Sequence, residues 1–148
     1  MNASVKWKSG LSFTGQADSG FSIDLGADPS VGGVNDGFRP LELMVISLAG
    51  CTAMDVISIL QKKRQLITGF SVDITSERAA DHPKVFSHIT IHYKVHGRNV
   101  DETALVRAIE LSAVRYCPAQ AMLGKVVPIE LVYRLEDEVN GLIKEGRV

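Results

Sequence analysis

From Leu41 to Leu60 the chain is apolar almost without a break, until Gln61-Lys62-Lys63-Arg64-Gln65 interrupts it. A run of this kind must be covered nearly all round, by lipid or by protein. Glu42 and Asp55 lie inside it, and an acid near a bilayer centre costs about 2.5–3.5 kcal/mol. Ser47, Thr52 and Ser58 dilute it further. A protein-covered helix over Pro40–Gln65 is therefore expected, and no membrane partner. Pro40 suits the first helical position, where a missing N–H costs nothing. Lys62, Lys63 and Arg64 put positive charge at the C-terminal end, where the helix dipole favours it. Such a helix is about 39 Å long, more than a chain of 148 residues can cover alone. A second copy of the chain is expected to complete the cover.

The remaining elements follow from periodicity. Before the helix, SVKWKS, LSFTGQA and GFSIDLG alternate loosely between turns at Gly10 and Ser19-Gly20, which reads as three short strands. A Gly-, Asp- and Pro-rich loop, ADPSVGGVNDGFRP, leads into the helix. After it, GFSVDITSERA and KVFSHITIHYKVHG place apolar residues at alternate positions and read as an antiparallel hairpin. NVDE has the form of a capping box with Asn99 as N-cap. The helix it opens carries Leu105, Val106, Ile109 and Ala113 on one stripe and must stop near Tyr116, because Pro118 disfavours helical geometry at Cys117. Pro118 opens a short third helix ending by Gly124, and VVPIELVYRLE is a last strand. DEVNGLIKEGRV reads as a short helix or a frayed tail. One domain is expected over 1–148, with a core over 3–135 and a tail over 136–148. The clustering of strands argues α+β rather than a doubly wound sheet.

Charge and cysteine usage exclude several classes. A formal net charge of −1 lacks the electrostatic footprint of a nucleic-acid binder. MNASVKWKSG has no apolar signal core, so a cytoplasmic location is expected. His88, His92 and His96 are spaced four apart, but the surrounding pattern is a strand. Four strand residues span about 13 Å, too far for two histidines to share an ion bound at about 2 Å. A polar, partly exposed strand face is expected there.

The two cysteines remain. Cys117, before Pro118, is placed to cap the third helix, whose first N–H groups favour a thiolate and would lower its pKa. Cys51 lies mid-helix between Gly50 and Thr52, where the dipole offers little. Free cysteine is also among the residues most often buried for packing alone. The residues by themselves leave both readings open.

PLELMVISLAGCTAMDV, followed downstream by YCPAQAML, resembles the OsmC/Ohr family of osmotically induced and organic-hydroperoxide-resistance proteins. The resemblance extends over about residues 3–135 and is closest to the OsmC-like branch. It implies an α+β fold of antiparallel sheets with a long central helix, in an intertwined homodimer. It implies a thiol peroxidase that needs no metal and no organic cofactor. Cys51 would be the peroxidatic thiol, whose thiolate attacks the O–O bond of a small-molecule hydroperoxide and is left as a sulfenic acid as an alcohol or water is released. Cys117 would be the resolving thiol that closes a disulfide, reset by a dithiol reductant. The family activates its thiol with an arginine and a glutamate. The nearest matches here are Arg39 and Glu42. Glu42 stands one position closer to the cysteine than the family's acid, Leu41 taking that place, so on a straight helix it faces away from Cys51 and contact is left to the dimer. Asp55, one turn after Cys51, is expected to pair with a cation or to cap another element. A non-catalytic OsmC-like dimer that binds a small apolar ligand is the alternative.

Overall fold

The computed structural model describes residues 1–148, which divide into two compact units, Met1–Ile46 and Ser47–Val148.

The first unit opens with strands β1 (Ala3–Ser9), β2 (Ser12–Ala17) and β3 (Ser22–Leu25), hydrogen-bonded as an antiparallel meander in that order. Gly10 and Gly20 take left-handed backbone at the two turns, a conformation open to glycine without penalty. In the following loop Asp28 accepts the N–H of Ser30 and caps a single 3₁₀ turn over Pro29–Val31. The loop folds back so that Phe38 bridges to Leu25.

Helix α1 runs from Pro40 to Lys62. The Glu42 carboxylate accepts the Arg39 backbone N–H at 2.9 Å, half of a capping box at the first turn. The helix ends three residues before the expected Gln65. Arg64 takes left-handed geometry, Arg64 N–H bonds Gln61 C=O, and Gln65 N–H bonds Leu60 C=O. This is a Schellman closure, and it sends the chain directly into the next strand.

In the second unit, β4 (Leu66–Arg78) and β5 (Phe86–Arg98) form the expected long antiparallel hairpin. β6 (Ile129–Asp137) then pairs with β5 in parallel, and β7 (Ile143–Arg147) with β6 antiparallel. The sheet is therefore mixed. The helices α2 (Glu102–Leu111) and α3 (Pro118–Leu123) supply the crossover that a parallel pair requires.

Two local expectations are corrected. The N-cap of α2 is Asp101, whose side chain accepts the Thr103 N–H. Asn99 instead takes left-handed backbone, and Glu102 accepts from the Tyr133 hydroxyl. The C-terminal tail is a strand. Its register sets Gly146 against Tyr133, where a side chain on residue 146 would collide with the ring.

The core of this unit lies between the sheet and the helices. Ile89, Ile91, Tyr93 and Val95 alternate along β5 at 0% exposure, with Leu131, Tyr133 and Leu135 of β6 beside them. The α1 residues Leu48, Thr52, Val56 and Leu60 form a single buried stripe at helical spacing. Leu105, Ala108 and Ile109 of α2 complete the cluster. α1 is long and apolar enough to cross a membrane, and 22% of its most apolar window is buried in the chain.

His88, His92 and His96 lie half-buried on the other face of β5. Each faces a side chain of a neighbouring strand: His88 lies 3.6 Å from the Glu130 carboxylate and His96 3.3 Å from that of Glu136, and His92 is hydrogen-bonded to the Thr75 hydroxyl at 3.3 Å.

A thiol pair and a carboxylate as the candidate active site

The buried stripe of α1 decides where its polar groups point. Cys51 and Asp55 each precede a stripe residue, Thr52 and Val56, so both stand at the edge of the buried face, half-buried and one turn apart. The second thiol arrives from the crossover. After α2 the chain makes a π-helical turn over Ser112–Tyr116, and Cys117 is extended at φ −80°, ψ 102°, as a residue before proline must be. Cys117 caps α3, its Sγ accepting the Gln120 N–H at 3.4 Å. It is 2% exposed.

These two routes converge. The Cys51 and Cys117 sulfurs and one Asp55 carboxylate oxygen all lie within 4.8 Å of one another. Both thiols are free.

The expectation that capping lowers the pKa of Cys117 is not met. Burial pushes the Cys117 thiol up to about 12, and the neighbouring Cys51 adds to the rise. The N–H groups of Gln120 and Ala119 pull the other way and lose, because α3 is only six residues long while desolvation strongly penalises the charged form. Cys117 is held as the thiol, with its S–H beside the more accessible Cys51.

Asp55 also differs from expectation. Its partner is a hydroxyl rather than a cation: Ser112 Oγ donates to Asp55 Oδ2 at 3.0 Å. Thr52 Oγ1 lies 2.9 Å from Ser112 Oγ and 2.7 Å from the Tyr93 hydroxyl. Each hydroxyl has one hydrogen, and the one on Ser112 goes to the carboxylate. Thr52 therefore donates to Ser112, and Tyr93 donates to Thr52. The relay from Tyr93 to Thr52, Ser112 and Asp55 runs one way and ends on the carboxylate beside the thiols. Its first three members are 0% exposed, and burial pushes the Tyr93 phenol up to about 12.

Sequence reasoning missed this relay, although a signal existed. Thr52, Tyr93 and Ser112 are polar groups at positions where the stripe of α1, the alternation of β5 and the stripe of α2 demand apolar ones. Gln120 was missed as well. It is 5% exposed, and both its side-chain polar atoms are buried without a partner.

Arg39 and Glu42, the other expected site residues, belong to the first unit. The Arg39 guanidinium bonds Asn35 and Asp28, and Glu42 holds the Arg39 N–H. Together they tie the loop to the first turn of α1.

A groove of about 400 Å³ passes the carboxylate, lined by Asp55, Ile59, Lys62, Lys63, Leu111 and Tyr116. Its walls combine apolar surface with two ammonium groups.

Comparison with known proteins shows the family of this chain. The family described as OsmC-like protein matches residues 33–132. The chain belongs to the OsmC-like protein family. It is 39% identical to Protein YhfA of Escherichia coli (strain K12) over 135 residues, covering 91% of this chain and 98% of YhfA. A hypothetical protein from Aquifex aeolicus VF5 is 28% identical with a TM-score of 0.82, covering 93% of this chain and 96% of that one. The fold also extends to a Legionella pneumophila protein described as organic hydroperoxide resistance protein OsmC. That match has a TM-score of 0.64 at 15% identity, covering 88% of this chain and 93% of that one. In this OsmC-like protein the matched range contains both the long helix with Cys51 and the Cys-Pro start of α3, and the two thiols they carry are neighbours.

Proposed function

We propose that this protein is a cytoplasmic thiol peroxidase that reduces small organic hydroperoxides. The observation that carries the reading is the apposition of two free thiols with unequal exposure, Cys51 half-buried and Cys117 2% exposed. The Cys51 thiolate attacks one oxygen of the O–O bond. The bond breaks, the alcohol leaves with a proton, and Cys51 becomes a sulfenic acid. Cys117 then attacks the Cys51 sulfur, water leaves, and a disulfide forms. An external dithiol returns two electrons and two protons by exchange. The apolar wall of the groove, Ile59, Leu111 and Tyr116, suits an organic substrate better than hydrogen peroxide. Arg39 and Glu42 are proposed to assist activation of Cys51 within a homodimer. Support for the dimer comes from exposed apolar residues on α1, Met44, Ile46 and Met54, the last 70% exposed, since patches of this kind mark association surfaces.

Mixing the reduced protein with one equivalent of cumene hydroperoxide tests the reading. Both thiols of the wild type should disappear rapidly, with one intrachain disulfide formed. Cys51→Ser should be inert, since a protonated hydroxyl is a poor nucleophile. Cys117→Ser should consume about one equivalent and stall as a sulfenic acid. If neither thiol reacts faster than free cysteine, the groove supports the second reading, a non-catalytic binder of a small apolar ligand.

A further inference from the structure

We propose that Cys51, Asp55 and Cys117 form a three-ligand site for a thiophilic divalent cation of the zinc type, whose occupation keeps the thiol pair reduced and inactive. The silencing rests on the peroxidase reading, whereas the binding stands independently of it.

Geometry is the first support. Zinc binds thiolate at about 2.3 Å and carboxylate at about 2.0–2.2 Å, which in a tetrahedron separates neighbouring ligand atoms by about 3.5–3.8 Å. The three ligand atoms here all lie within 4.8 Å. Closing the remainder takes a movement of about 1 Å, within reach of side-chain rotation at the half-buried Cys51 and Asp55. These two are four residues apart on one helix, the spacing that stacks two ligands on one face.

The surroundings of the carboxylate give a second, independent support. One Asp55 oxygen, Oδ2, is held by Ser112, which is held in turn by Thr52 and Tyr93. This leaves Oδ1 for an ion. Metal-ligating carboxylates are commonly oriented by hydrogen bonds of this kind, and a packing role for the cysteines gives no reason for a carboxylate within 4.8 Å of both.

Ligand chemistry selects the ion. Two sulfurs exclude magnesium and calcium, which take oxygen ligands, and favour zinc and its soft congeners. Both cysteines bind as thiolates, so each thiol proton is released to solvent. Two thiolates and one carboxylate then carry three negative charges against two on the ion. Asp55 lines the groove, so a fourth position is open to water. A thiolate bound to zinc has its lone pair engaged and is a weaker nucleophile toward an O–O bond. Two-electron oxidation of the pair to a disulfide, with the peroxide reduced to alcohol and water, would eject the ion.

The test uses the full-length reduced protein, without oxygen, titrated with Co²⁺ and with Zn²⁺ against a chromogenic chelator. One ion per chain is expected, with sulfur-to-cobalt charge-transfer absorption and tetrahedral visible bands. Asp55→Asn should weaken zinc binding more than about tenfold, and Ser112→Ala by about tenfold, with both thiols still titratable. The wild type oxidised beforehand to the disulfide should bind none, a result that requires no substitution. Absence of the charge-transfer band in the reduced wild type overturns the site. So does unchanged affinity in a folded Asp55→Asn, or full binding after oxidation. None of these readouts involves peroxide turnover, so loss of the peroxidase reading leaves them interpretable.

Discussion

Cys51 and Cys117 share one cluster 4.8 Å across but differ in environment, the former half-buried and the latter 2% exposed. Iodoacetamide at neutral pH should therefore modify Cys51 first and Cys117 about tenfold more slowly, since reactivity follows access and thiolate fraction. Peptide mapping by mass spectrometry reads both rates in one sample. Equal rates would remove the distinction on which the roles of the two thiols rest.

The raised pKa values set the direction of the alkaline response. In the unfolded chain Cys117 loses its proton near 9.0 and Tyr93 near 10.0, whereas in the fold both hold theirs up to about 12. Above pH 9 the unfolded state therefore binds fewer protons than the native state, and stability falls as pH rises. The contribution is fully present below pH 9 and lost progressively toward 12. Urea midpoints measured between pH 8 and 10.5 should drop, and Cys117→Ala should flatten the early part of that drop.

Thr52→Val keeps the shape of the side chain but cuts the relay at its centre. The Tyr93 hydroxyl loses its acceptor and Ser112 its donor, both at 0% exposure. A cost of about 1–3 kcal/mol is expected, read as a lower urea midpoint. The double variant with Tyr93→Phe should recover part of that loss, because it removes the stranded phenol. Strict additivity of the two changes would argue against a coupled network.

Gly146→Ala tests the strand that closes the sheet. A Cβ on residue 146 would sit 2.6 Å from the Tyr133 hydroxyl and 2.8 Å from two ring carbons. Tyr133 cannot swing aside freely, as its hydroxyl donates to Glu102 at 2.6 Å. Overpacking of this kind costs about 1–3 kcal/mol, and thermal denaturation should show it. A variant as stable as wild type would mean that β7 is not paired in this register.

Arg39→Met separates two roles of one guanidinium. Its bonds to Asp28 and Asn35 order the loop, while the proposed activation of Cys51 would act through charge. The proposed role predicts slower alkylation of Cys51 at neutral pH in this variant. An unchanged rate, with only a lower melting temperature, would restrict Arg39 to the loop.

Much of the candidate site could be read from local pattern. Pro118 forces Cys117 out of helical geometry and into the cap position, and that requirement is local to two residues. The same holds for α1, whose apolar run needs no tertiary information to be recognised as a helix. The N-cap of α2 was misplaced because NVDE offers both Asn99 and Asp101 as caps, and Glu102 is drawn to Tyr133 of β6, a residue distant in sequence. The tail was misread because β7 becomes a strand only by pairing with β6, and its own residues carry little periodicity.

The sequence by itself determined the helix, the hairpin, the kink at Pro118 and the presence of two thiols, since each follows from spacing, proline sterics or composition over a short stretch. Only the tertiary structure decided what the thiols face. Asp55, beside the sulfurs, is held by Ser112 from the π-helical turn after α2, and Thr52 and Tyr93 complete the relay from α1 and β5. The pKa of Cys117 is set by burial rather than by the cap it forms. Desolvation depends on everything packed around a group, and helix, crossover and sheet must all be in place before that sum exists.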